Sequence, residues 1–87
     1  MKYKINKGFI VQKLGNKTVI FDGEKSALYT LNESASFIFG KLKIGWDENK
    51  NIEGLLKRYS VKREKLEQDY EQLTNDLLKK KIIKKSA

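Results

Sequence analysis

A chain of 87 residues with a net charge of +8 and neither His nor Cys leaves few routes to chemistry. The absent residue types remove the commonest general base, thiolate nucleophiles, disulfides and the usual zinc ligands together, and so short a chain cannot enclose a substrate cavity and still fill a core. No apolar run approaches the roughly 18 residues of a membrane span, and the FIV run behind the basic start MKYKINKG is too short for a secretory signal, so a single cytoplasmic, non-catalytic domain is expected.

The chain carries no Pro and no internal repeat, and its pattern changes character once, near Asn32. Before that point Phe9 to Leu14, Lys17 to Asp22 and Ser26 to Leu31 are short runs rich in Val, Ile, Phe, Thr and Tyr, which reads as three strands. Gly15-Asn16 supplies a two-residue loop that tolerates the positive φ of a hairpin turn, and Asp22-Gly23 opens a second turn. Strands in such close succession form an antiparallel meander with the first and third at its edges.

After Asn32 the period lengthens to that of a helix. Asn32 is placed to cap a helix over about 33–44, with Glu33 at the positive end of its dipole. Ala35, Ile38, Phe39, Leu42 and Trp46 fall on one stripe. Gly45 ends that helix, and Asp47 to Lys50 read as a polar loop. Asn51 is then the expected cap of a second helix, about 52–59, with Ile52, Leu55, Leu56 and Tyr59 on its apolar face. A third helix, about 63–80, buries Leu66, Tyr70, Leu73 and Leu77; Lys62 is a poor cap for it, and Val61 is spaced to staple onto Leu66. Ile82 and Ile83 form a closing apolar anchor, after which KKSA is expected to fray. Three strands followed by three helices is the outline of an α+β winged helix-turn-helix with its sheet first.

The stretches FDGEKSALYTLNESASFIFGKL, NIEGLLKRYSV and LEQDYEQLTNDLLKKKII, in that order, resemble the PqqD-like proteins. These are the recognition elements that bind leader peptides of ribosomally made, post-translationally modified peptides. The resemblance covers Phe9 to Ile83 and is carried by Tyr29-Thr30-Leu31-Asn32, by the Ile52/Leu55/Leu56/Tyr59 helix, and by Asp69 four residues before Leu73 ahead of the final apolar pair. It implies a leader-binding role, for example in lasso-peptide biosynthesis. It further implies a precursor leader peptide and a maturation enzyme (leader peptidase or radical enzyme) as partners, no cofactor, no metal and no catalytic residue. Lys81 departs from the pattern, standing where the family often has glycine, as do Lys62 and the longer loop IGWDENK.

An exposed third strand offers unpaired N–H and C=O groups to which an extended peptide can add. The candidate peptide-binding residues are therefore Ser26, Ala27, Leu28, Tyr29, Thr30 and Leu31, for backbone pairing. Lys65, Asp69, Gln72 and Asp76, at helical offsets of 4, 7 and 11 on one flank of the third helix, supply polar selectivity, and Leu28, Tyr29 or Leu73 is a candidate to receive an apolar anchor. Tyr29 and Leu31, on the face that meets the first helix, suit the core better than a pocket, Asp69 equally suits a local pair with Lys65, and Trp46 suits either a core plug or a partner contact. An open edge also permits pairing with a second copy.

The competing reading is a winged helix-turn-helix that binds DNA through its 19 Lys and Arg against 11 Asp and Glu. Glu64, Glu67, Asp69, Glu71 and Asp76 on the third helix oppose a phosphate-lined groove. Arg, the commonest reader of guanine, is confined to Arg58 and Arg63.

Overall fold

Gly15 takes φ +64 and Asn16 follows at negative φ, the order of a type II′ hairpin turn. In the computed structural model, which describes residues 2–86, this turn joins two strands. The elements run β1 (Lys2–Ile5), β2 (Phe9–Leu14), β3 (Lys17–Asp22), β4 (Ala27–Leu31), α1 (Glu33–Lys43), α2 (Glu48–Arg58), α3 (Arg63–Lys79) and β5 (Ile83–Ser86). The predicted meander is β2-β3-β4, antiparallel, with β2 and β4 as its edges.

At the second turn the Asp22 carboxylate accepts from the backbone N–H groups of Glu24 (3.0 Å) and Lys25 (3.2 Å). Ser26 has φ 51 and lies outside the strand, so the predicted start at Ser26 moves to Ala27. Thr18, Ile20 and Asp22 are buried on one face of β3, and Tyr29 and Leu31 face the same way from β4. Ile10, Phe21 and Leu28 stand opposite one another on the other face, 65%, 37% and 64% exposed.

Asn32 caps α1 as expected, its Oδ1 accepting from the Ala35 N–H at 2.9 Å. Ile38, Phe39 and Leu42 of α1 are buried with Ile20, Leu31, Ile52, Leu55, Leu66, Tyr70, Leu77, Ile82 and Ile83 in one core, each large side chain contributing about 1.5–3 kcal/mol by leaving water. The helix ends at Lys43, one residue short of the predicted 44. Gly45 at φ +89 lets the Trp46 N–H reach the Lys41 carbonyl (3.0 Å) and the Gly45 N–H reach Leu42 (3.1 Å), the double bond of a Schellman end.

The second helix starts four residues earlier than the sequence predicts and ends at Arg58. Asp47 is its cap, its carboxylate accepting from the Lys50 N–H at 2.9 Å, so Glu48, Asn49 and Lys50 form a first turn rather than a loop. Asn51, the predicted cap, is instead fully buried, its side-chain N–H donating to the Asp47 carbonyl at 3.4 Å. The third helix begins at Arg63 with no side-chain cap at Lys62, and Val61 stays 45% exposed rather than forming the predicted staple. It stops at Lys79, a residue before the predicted 80, again in a Schellman end: Ile82 N–H to Leu77 carbonyl, 2.9 Å, and Lys81 N–H to Leu78, 3.0 Å. Lys81 adopts the left-handed geometry (φ 61) that glycine takes more readily.

Two strands were not foreseen. Lys84 to Ser86, expected to fray, continue from Ile83 as β5, which pairs antiparallel with β1 from Ile5↔Ile83 to Lys2↔Ser86; Ala87 lies outside the described residues. Asn6 extends the pairing, its backbone N–H reaching Ile82 and its side chain Lys81, both at 2.8 Å. This second sheet packs β1 on α1 and joins it to α3 through β5. Among the described residues no helix is long and apolar enough to cross a membrane.

Candidate functional site

The β2–β3 turn determines which backbone groups of β4 stay free. A two-residue loop leaves Leu14 and Lys17 as a directly bonded pair, and in an antiparallel ladder such pairs alternate with unbonded ones. Residues 17, 19 and 21 of β3 therefore point their N–H and C=O groups at β2, and residues 18, 20 and 22 point theirs at β4. The β4 partners of the latter, Leu31, Tyr29 and Ala27, face inward. Leu28 and Thr30 are left presenting their N–H and C=O groups along the open edge.

Beside this edge the chain turns into α1 without a linker, and α1 packs on β4 and on α3. A groove of about 350 Å3 opens between α1 and α3, lined by the cap Asn32 with Ser34, Ala35 and Ile38 of the first and by Lys65, Asp69, Gln72, Leu73 and Asp76 of the second. All five α3 residues singled out from sequence thus line one space. Just past the end of α3, the Lys80 ammonium (Nζ) stands 5.3 Å from the centre of the Tyr29 ring on β4.

The groove is polar with an apolar strip. Lys65 Nζ donates to Asp69 Oδ1 at 2.9 Å, the local pair weighed above, with both side chains substantially exposed. Asp76 adds a second carboxylate, so the groove carries a net negative charge on a chain of +8. A phosphate backbone would be repelled here. The Asn32 side-chain oxygen is committed to the Ala35 N–H and the Ser34 hydroxyl, which holds the corner rigid.

The β4 residues divide by face. Leu31 is 8% exposed and belongs to the core, and Tyr29 is half-buried against it. Leu28 projects from the outer face of the sheet, away from α1, so it offers the edge its backbone but offers the groove no side chain; of the candidate apolar residues Leu73 lines the groove, together with Ile38. Ser26, in the turn, stands outside the ladder. The α1 wall was not identified from sequence: Ala35 and Ile38 carry an ordinary core periodicity, and their second role follows from the position of α3.

An open-edged, three-stranded antiparallel sheet carrying three helices, with a polar groove at the sheet-to-helix corner, defines the class as α+β with the predicted arrangement. Over residues 17–83 the sequence matches the family described as Coenzyme PQQ synthesis protein D (PqqD), and the chain belongs to that family. It is similar in fold to TbiB1, solved in complex with the TbiA(beta) leader peptide: TM-score 0.86 and 20% identity over 97% of this chain and 98% of that one. It is likewise similar to a lasso peptide synthetase B1 complexed with the leader peptide, with TM-score 0.88 and 21% identity over 98% of this chain and 100% of that one. No curated protein sequence matches the chain.

Proposed function

We propose that this protein binds the leader segment of a ribosomally made precursor peptide as an added strand on β4 and holds it for a separate maturation enzyme, performing no reaction itself. The observation that carries this reading is the outward-facing backbone of Leu28 and Thr30 next to a groove wide enough for side chains. Main-chain pairing supplies affinity with little sequence preference, and the groove supplies selection. On this reading Ala27 to Leu31 form the pairing edge, with Ser26 at its approach. Lys65, Asp69, Gln72 and Asp76 meet polar leader residues, and Leu73 receives an apolar one. Membership of the PqqD family and likeness to two proteins solved with leader peptides support it. The maturation enzyme is a leader peptidase or a radical enzyme, and the cytoplasm, where precursors are made, is the expected location.

Titration of a labelled leader peptide and a labelled DNA duplex at two salt concentrations tests the assignment. Leader binding that persists as salt rises supports it. Duplex binding that falls steeply with salt, together with no leader binding, overturns it in favour of nucleic acid. The same edge accepts a second copy of the chain, so any dimer seen by gel filtration should dissociate when leader is added.

A further inference from the structure

Another flank of α1 carries a second feature that leader binding does not use. A groove of about 390 Å3 runs there between α1 and the β2–β3 hairpin. Its apolar lining is Phe37, Gly40 and Ile44, its cations are Lys13, Lys41 and Arg58, and Glu33 is its carboxylate. At 100° per residue, Phe37, Gly40 and Ile44 centre roughly 130° around α1 from Ser34, Ala35 and Ile38, so the two grooves lie on different flanks of the helix.

The cations at this corner are held in position. Phe37 and Trp46 meet edge to face, ring centres 6.4 Å apart at 75°. Lys41 Nζ sits 4.6 Å from the Trp46 ring centre and 5.4 Å from that of Phe37. Arg58 Cζ is 5.1 Å from Phe37, and Lys50 Nζ is 5.3 Å from Trp46. The ring faces attract these charges and fix them, yet none of the three cations belongs to an ion pair among the described residues. Gly54 of α2 makes room for the rings: a Cβ there would approach Phe37 Cζ to 3.0 Å and Trp46 Cζ3 to 3.3 Å. A mid-helix glycine sacrifices about 1 kcal/mol relative to alanine, and here it accommodates the aromatic pair under the charges.

We propose that this corner is a second docking surface, which takes an acidic, leucine-anchored segment of the enzyme that acts on the leader-bound precursor. Pre-positioned, unpaired cations around an exposed apolar strip complement carboxylates flanking an apolar side chain. Nucleic acid fits less well, because the ring faces a base would stack on are covered by lysine and arginine. The identity of the partner rests on the leader-binding reading; the chemistry of the surface does not. Because α1 lies between the grooves, leader and partner bind together.

Trp46 is the sole tryptophan, so its emission reports occupancy of this corner. The probe is a short synthetic peptide of glutamates and leucines, compared with a counterpart carrying glutamine at every glutamate. The glutamate peptide should shift Trp46 emission saturably and more weakly at higher salt, the glutamine counterpart should not, and bound leader should leave the affinity unchanged. The double variant Lys41→Glu/Arg58→Glu should lose about tenfold or more in affinity for the peptide while retaining its affinity for a labelled leader. If circular dichroism shows that variant misfolded, Lys41→Gln/Arg58→Gln takes its place. Equal binding of the glutamine peptide, undiminished binding to the charge-altered protein, or a stronger response to a DNA duplex overturns the proposal. Absence of leader binding with the peptide response intact refutes the partner assignment and the leader reading, not the surface.

Discussion

Replacing Thr30 with proline isolates the hydrogen bond on which strand addition depends. The Thr30 N–H faces the open edge, its side chain is exposed, and the preceding Tyr29 already has the extended backbone that a residue before proline prefers. Proline is tolerated on edge strands where the missing N–H faced solvent, so the substitution should change folding stability by no more than about 1 kcal/mol. A guest strand would lose one N–H···O=C bond, about 1 kcal/mol net, and its carbonyl would be left partly shielded from water, a further ~1–2 kcal/mol. The sum, about 2–3 kcal/mol, corresponds to roughly 30- to 140-fold in Kd. Calorimetric titration with leader peptide measures it, with Thr30→Val, which keeps the N–H, as a control of unchanged affinity. Tyr29→Pro supplies the contrast: its N–H is bonded to β3, so the substitution should destabilise the fold by about 3 kcal/mol. A folded Thr30→Pro protein that binds leader with undiminished affinity refutes strand addition at this edge.

Three further outcomes follow from the packing. Lys81 holds φ 61 at the end of α3, so Lys81→Gly should stabilise the protein by about 1 kcal/mol, read as a melting temperature about 4–8 °C higher. Tyr70 is 2% exposed, and burial, reinforced by Tyr3, Glu48 and Asp47, pushes its phenol from 10.0 up to about 12. The unfolded chain releases this proton first as pH rises, so between about pH 10 and 12 its share of the stability falls by about 1.4 kcal/mol per pH unit, having been fully present below pH ~10. Urea unfolding on either side of that window should show Tyr70→Phe lacking this share of the decline. Gly54→Ala gains about 1 kcal/mol of helix propensity but forces the Phe37 and Trp46 rings outward. Its net stability should therefore change by less than about 1 kcal/mol, while Trp46 emission moves to longer wavelength as the indole is exposed.

Sequence reading succeeded where the determining interactions are local. The Gly15-Asn16 and Asp22-Gly23 turns end β2 and β3 at the predicted residues, and Asn32 marks the corner because its own side chain makes the cap. The start of α2 was misread because Asp47 and Asn51 are both good caps; Glu48, Asn49 and Lys50 carry no apolar residue to show which one acts. The β1–β5 sheet was missed for a different reason. KYKI and IKKS look like solvated lysine runs, and only pairing between the two ends of the sequence, with Tyr3, Ile5 and Ile83 turned inward, makes them strands. Within the site, helical periodicity sufficed to group Lys65, Asp69, Gln72 and Asp76. Strand parity separated Leu28 and Thr30 from Tyr29 and Leu31, but which side the helices cover is settled by long-range packing.

The unforeseen terminal sheet also bears on the site it does not touch. Strand β1 lies along α1, and β5 follows α3 through the Lys81 turn; these two helices are the walls of the groove proposed for the leader. Their separation is thus held like the jaws of a pair of tongs, with the ladder from Ile5↔Ile83 to Lys2↔Ser86 acting as the pivot. On the proposed reading, the hold on a guest strand at β4 depends on a ladder that never meets the guest.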